Sequence, residues 1–412
     1  MHFRKKVFIL VSLFYILFTT VPIIADVFPI DVSLINLFSF IIIFSLYPQA
    51  LINKSVFWLL SYGLVLFIYL VFDKPLTIGI GTVTDSKKLI IELAFILPSL
   101  SILSVLYYLK DIKLIKIIST VALIFIVLSF LYLLPLLLSG KLSLRDAVSL
   151  EMYQNIKTPG IPSYTLLHAY LIVTSAILYG FKIFKSINKV LLLAVLVLFL
   201  YIIYNSQITT SLVVAFALLV IAILYDNTNI RKSVFRISIF ATILVLLIPT
   251  GFFIQILDLL VETFEGTAAE SKMVDFRTIF ISGNITDSSN ITGRSNLHGI
   301  SLKAFADNIF VGSYPVGGHS NLLDRLGGLG LLGFIPYLMI IVSQMKMNLS
   351  FIKCREEKMY YFMGLFASFT LLALKGLFGQ EGWLFMMVLL PGLIITMQNS
   401  KAVKSTKQMK ML

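Results

Sequence analysis

Cysteine is almost missing from this chain: Cys354 is the single one in 412 residues. One thiol closes no intrachain disulfide and builds no thiolate cage, so a crosslinked scaffold and a cysteine-based metal site are both excluded. Charge is scarce too, at 13% of residues against 58% hydrophobic, and the mean hydropathy is +0.97. Such a chain prefers lipid to water, which excludes a soluble globular domain and makes an integral membrane protein the expected class. Acids are fewer than bases, 20 against 33, leaving a formal net charge of +13. Nucleic acid is still not an expected partner. Most Lys and Arg fall in short clusters between apolar runs, where the positive-inside rule accounts for them. No His, Cys, Asp and Glu residues share metal-ligand spacing, so no metal is expected, and internal repeats and low-complexity tracts are absent. Gly328, Gly330 and Gly333 match G-x-G-x-x-G formally. They follow no strand and open an apolar run, which argues against a dinucleotide loop. Small residues there suit close helix packing instead.

What the chain has in abundance is long apolar runs. They lie near 7–25, 32–51, 55–72, 88–109, 117–138, 164–181, 190–204, 208–225, 237–256, 328–345, 359–378 and 382–398, each of roughly spanning length. The expected fold is therefore an all-α polytopic membrane protein of about twelve transmembrane helices in a single domain. The first run follows Met-His-Phe-Arg-Lys-Lys like a signal peptide, but without a small-x-small cleavage site it reads as a retained span. With the N-terminus inside, about 21 of the 33 Lys and Arg residues face inward. Both termini are then expected in the cytoplasm, and the loop 257–327 outside.

That loop is the one long polar segment, and such connections are usually functional or disordered. It holds about eight acids against five bases, so any anion site in it has to be local. Leu297, Ile300, Ser301, Ala304, Phe305 and Asn308 recur at helical spacing, predicting a short amphipathic helix over 296–309 along the outer interface. Loops 73–87 and 139–163 complete a polar outer face.

The stretch 312–333 is a Gly-rich loop with one histidine, His319, running directly into an apolar helix. Gly317 and Gly318 let a ligand or backbone approach closely. A neutral imidazole accepts protons near neutral pH, so His319 is a candidate base; the same position also suits a loop histidine that caps the helix starting near Asn321. His168, beside Tyr170 near the end of a span, competes with it, since ionisable groups in membrane segments are costly and often functional. His298 reads as structural. Arg294 and Arg145, both in outer loops, are candidate clamps for a lipid phosphate or diphosphate, because a guanidinium binds phosphate as a fork; interfacial anchoring is the other reading. Glu262 and Glu265 read as a solvated pair rather than glycosidase carboxylates.

A many-span basic protein with a large late outer loop, Gly293-Arg294 ahead of an amphipathic helix, and then Gly317-Gly318-His319-Ser320-Asn321-Leu322-Leu323-Asp324 entering a Gly-rich span resembles the O-antigen and capsular polysaccharide polymerases (Wzy type), which are related to the O-antigen ligases. The resemblance is architectural over nearly the whole chain and specific over about 293–333. It implies a glycosyltransferase of the bacterial cytoplasmic membrane that joins polyprenyl-diphosphate-linked oligosaccharides without a metal, nucleotide or other cofactor, in company with a flippase and a chain-length regulator. It also implies that His319 is the base and that Arg294 binds diphosphate, with Gly317, Gly318, Ser320 and Asn321 around the substrate. Relatives often carry an arginine where this chain has Gln207, and Arg145 is the substitute considered. An O-antigen ligase acting on the same donor, and a flippase or transporter for lipid-linked sugars, are the alternatives; the lack of an internal repeat favours the enzyme.

Overall fold

The computed structural model describes residues 2–28, 30–72, 85–138, 160–184, 187–206, 208–225, 230–247, 251–266, 270–282, 289–374 and 378–398. The described chain forms helices α1 (His2–Thr20), α2 (Pro22–Val27), α3 (Val32–Leu46), α4 (Lys54–Val71), α5 (Asp85–Leu109), α6 (Ile112–Leu138), α7 (Tyr164–Ile183), α8 (Ile187–Asn205) and α9 (Thr209–Leu224). After these come α10 (Ile230–Leu247), α11 (Gly251–Thr263), α12 (Glu270–Ser282), α13 (Ser289–Asp307), α14 (Asn321–Phe351), α15 (Arg355–Leu374), α16 (Gly379–Leu384) and, beyond a π turn at Phe385–Leu389, α17 (Leu390–Met397). Among the described residues six helices are long and apolar enough to cross a membrane: Lys54–Val71, Ile112–Pro135, Tyr164–Ile183, Asn188–Asn205, Asn321–Phe351 and Gly379–Met397. Val32–Leu46, Leu93–Leu109 and Thr209–Leu224 are shorter apolar helices. The chain is a helical membrane protein.

Burial sorts these helices into layers. The apolar windows of Tyr164–Ile183 and Gly379–Met397 are 83% and 89% buried, against 28% for Lys54–Val71 and Asn188–Asn205; the first pair is the centre and the second pair the periphery. Around the centre, Phe130 stands edge-on to Tyr170 and Phe199 at 4.4 and 4.5 Å, and Phe385 lies 5.7 Å from Tyr170. Ring pairs of this geometry add attraction beyond their buried area. Gly364 brings α15 against the centre, since a Cβ there would lie 2.7 Å from the Ile172 carbonyl oxygen. Capping fixes several helix starts: Asn53 accepts from the Ser55 and Val56 N–H groups, and Ser163 from Leu166.

One end of the bundle gathers several turns. Lys5 at the head of α1 pairs with Asp111 between α5 and α6 at 3.0 Å, and Lys182 at the end of α7 lies 3.7 Å from Glu356 at the head of α15. Glu357 accepts from the Lys353 and Cys354 N–H groups and from Gln398 after α17.

Residues 257–327 are largely helical where described. The chain carries a helix over Ser289–Asp307, beginning seven residues before the predicted 296. Gly293 and Gly299 lower the propensity there, but Ser301 and Ala304 are buried where α13 packs on α14. Tertiary packing overrides the local preference. The apolar run 237–256 is divided between α10 and α11, with 248–250 outside the described residues.

Helix α14 starts at Asn321, ahead of its apolar run, and is broken at Gly330, whose φ of 58° and ψ of −164° are open essentially to glycine alone. The backbone groups freed by the break are taken up by 309–313: Leu331 N–H donates to Ile309 O at 2.9 Å, Leu332 N–H to Phe310 O at 3.0 Å, and Ser313 N–H to Gly327 O at 2.9 Å. Such compensation is what a buried backbone requires. Gly312 allows it, because a Cβ there would lie 2.6 Å from the Gly328 carbonyl carbon. Gly330, one of the glycines expected to favour helix packing, thus admits a loop segment as its close neighbour. The Tyr69 hydroxyl at the end of α4 lies 3.0 Å from both the Val311 and Leu329 carbonyl oxygens, clasping the two segments.

Candidate functional site

The loop that carries His319 is built around a carboxylate. Asp324, in the first turn of α14, accepts the Gly318 N–H on Oδ1 at 3.1 Å and the Ser320 N–H on Oδ2 at 3.0 Å. Ser301, from α13, donates its hydroxyl to Asp324 Oδ1 at 2.6 Å and accepts the Gly317 N–H at 2.9 Å. His319 therefore sits between two residues whose amides are held by one side chain, and it is half-buried. Gly317 lies against α13, where a Cβ would come within 2.6 Å of the Leu297 carbonyl carbon, and Gly318 has a left-handed φ of 74°. Both glycines thus have a structural reason to be where they are.

Ser320 and Asn321 are engaged inside the protein. The buried Ser320 hydroxyl caps α14 by accepting from the Leu323 N–H at 3.2 Å. Asn321 Oδ1 accepts from Arg325 Nε at 3.0 Å and from the Tyr337 hydroxyl at 2.7 Å.

In the sequence Arg325 is only one of the five bases of the 257–327 segment. It is only 9% exposed, with its guanidinium 4.5 Å from the Tyr337 ring centroid and donating to the Tyr62 hydroxyl. A charge is kept at such a depth only where hydrogen bonds and ring faces replace water. It ties the foot of the His319 loop to α4. Its i, i+4 spacing from Asn321 at the head of an apolar run was the available signal.

Arg294 belongs to a second feature. It is exposed on α13 and lines a cavity of about 260 Å³ with Lys272 and Phe276 of α12, Thr209, Thr210, Val213 and Val214 of α9, and Thr370 and Leu374 of α15. Two cations, two hydroxyls at a helix start and an apolar wall suit an anion attached to something apolar. His319 is not among the residues lining this cavity. The two features share α13, which offers Arg294 to the cavity and Leu297 and Ser301 to the His319 loop. Arg145 and Gln207 lie outside the described residues.

The other candidates are placed apart. His168 is buried in α7, with Nδ1 2.9 Å from Ser211 Oγ of α9. His298 is half-buried on α13. Among the described residues no three His, Cys, Asp or Glu side chains gather as a metal set would. Glu381, in the first turn of α16, accepts the Ser163 hydroxyl at 3.3 Å, a contact that joins the starts of α16 and α7. No protein-family model matches the chain, and no curated protein matches it.

Proposed function

We propose that this protein is a polysaccharide repeat-unit polymerase. It transfers a growing glycan from polyprenyl diphosphate to a lipid-linked oligosaccharide at the outer face of a bacterial cytoplasmic membrane, working beside a flippase and a chain-length regulator. In this reading the chain spans the membrane about twelve times with both termini in the cytoplasm, and 257–327 is extracytoplasmic. The observation that carries it is the shared use of α13, which joins a cationic, apolar-walled cavity at Arg294 to the loop that displays His319.

The chemistry is a displacement at an anomeric carbon. A hydroxyl of the acceptor sugar attacks that carbon, the bond from carbon to the phosphate oxygen breaks, and the diphosphate leaves with the bonding electrons. His319 takes the hydroxyl proton as general base, which typically contributes about 10² to 10⁴ fold. Arg294 stabilises the charge growing on the diphosphate. The sugar–phosphate linkage itself supplies the driving force, so no nucleotide is consumed, and lipid tails on both substrates explain a site at the membrane surface.

The test is His319→Ala at matched protein level, scored by the ladder of polymer lengths. Collapse to single repeat units on their lipid carrier is expected. A full ladder from this variant would sink the mechanism, and transfer to a lipid core instead of to another repeat unit would assign a ligase. Loss of activity in His168→Ala greater than in His319→Ala would move the site into the span and favour transport.

A further inference from the structure

We infer that the Arg294 cavity is a lipid-phosphate site whose second cationic ligand is Lys272, with the α9 N-terminus completing the anion cradle and the apolar tail leaving along α9 into the bilayer. The inference rests on the polymerase reading for its choice of lipid, and on the cavity alone for its geometry.

Three observations converge on an anion. Lys272 and Arg294 come from different helices, α12 and α13, to one cavity. Its floor includes Thr209 and Thr210, the first two residues of α9, and the N-cap residue is Ile208, whose side chain makes no capping bond. The first N–H groups of a helix have no intrahelical acceptor, and the helix dipole favours negative charge there. Thr209 is 6% exposed, and its hydroxyl oxygen is buried without a hydrogen-bond partner among the described residues. A buried hydroxyl left unpaired carries a desolvation penalty, and a χ1 rotation that turns the Thr209 hydroxyl toward the cavity it lines lets a phosphate oxygen remove it.

The rest of the lining argues for a tail. Val213, Val214, Phe276 and Leu374 complete the wall, and Val213 and Leu374 are 59% and 45% exposed. Val213 continues at helical spacing into Phe216 and Ile223, which are 59% and 78% exposed on the same stripe of an apolar helix. A tail leaving past Val213 meets apolar surface all the way along α9. A free inorganic anion gains nothing from that wall. The two-cation head also suits a diphosphate better than the single phosphate of an ordinary phospholipid.

The experiment uses the full chain in phosphatidylcholine nanodiscs and measures saturable binding of a fluorescent polyprenyl diphosphate, with inorganic diphosphate and phosphatidylglycerol as competitors. Lys272→Gln and Thr209→Val should each weaken binding, the lysine change by about tenfold or more as a charge-assisted hydrogen bond is lost, and Lys272→Arg should restore it. Wild-type affinity in Lys272→Gln would overturn the proposal. Competition by inorganic diphosphate as effective as by unlabelled lipid would overturn the tail path, and equal competition by phosphatidylglycerol would reduce the cavity to a general anionic-lipid site. Failures of the two readings separate cleanly. Binding that depends on Lys272 in a protein that makes no polymer would sink the polymerase and leave the site; normal polymer from Lys272→Gln would do the reverse.

Discussion

Asp324→Asn isolates what holds His319 in place. The carboxylate spans Gly318 and Ser320 on either side of the histidine and also receives Ser301 from α13. Asparagine keeps one acceptor oxygen and turns the other into an NH₂ group facing a donor, so at least one charge-assisted hydrogen bond is lost, about 1.5–3 kcal/mol. Partial exposure of Asp324 favours the lower half of that range. A loss of about 2 kcal/mol raises the population of loop conformers released from the carboxylate about thirtyfold. Amide hydrogen exchange at Gly318 and Ser320 reads this directly, as a rise of that order. Thermal unfolding should change little, since the aromatic centre around Tyr170 takes no part in these bonds. Polymer length should fall with the loss of protection, and Asp324→Ala, which removes every bond, should go further. Unchanged protection in both variants would refute the assignment. Loss of polymer with protection intact would mean that Asp324 acts otherwise than by positioning.

Three more outcomes are expected. Gly330→Ala forces a methyl-bearing residue into a glycine-only conformation, with a Cβ 2.5 Å from the Phe310 carbonyl carbon; a destabilisation of about 3 kcal/mol or more should lower the folded yield in detergent, and normal yield would contradict the paired break. Burial, then the neighbouring Glu357 and Glu356, push the Cys354 thiol above its ordinary range. Because the neutral thiol is favoured, its alkylation by iodoacetamide at pH 8 should be slower than that of free cysteine and should keep rising at pH values where free cysteine has levelled off. In a Cys354→Ser background, Ser289→Cys should react with a membrane-impermeant maleimide added from outside the cell; labelling only from the cytoplasm would overturn the proposed topology.

How much of this was legible in the sequence follows from the range of the interactions. Long apolar runs carry their own signal, so the helical membrane class could be read directly, and the Gly-rich approach to Asn321 singled out the His319 loop before any geometry was known. Asp324 is adjacent to that loop, but in a sequence it is one acid among those of a polar segment; only the approach of Ser301 and two amides gives it a role. Arg325 read as a loop base because burial depends on Tyr62 and Tyr337, one of them on a distant helix. The cavity was least visible: Thr209, Lys272, Arg294 and Thr370 are brought together by packing alone. By sequence Gly330 reads as a packing glycine, whereas in the structure it lets the helix break while the loop segment 309–313 takes up the freed backbone groups.

The centre of the bundle has a consequence for how the protein is made. Among the described residues the most buried apolar helix, Gly379–Met397, follows every other helix in order of synthesis. The groove it fills is shaped in advance by Ser119, Gly180 and Gly364, each closely apposed to a residue of the π turn or α17 or leaving room for one. Until that segment is inserted, Tyr170 lacks the Phe385 ring that packs against it, and contacts that close late are exposed to misassembly. A chain stopped just before Gly379 would still carry most of its apolar helices and yet lack half of its centre, leaving Tyr164–Ile183 without the segment packed against it. Completion of the centre therefore waits on the last described apolar helix, and nascent chains stalled before it should be the species that membrane chaperones and proteases capture.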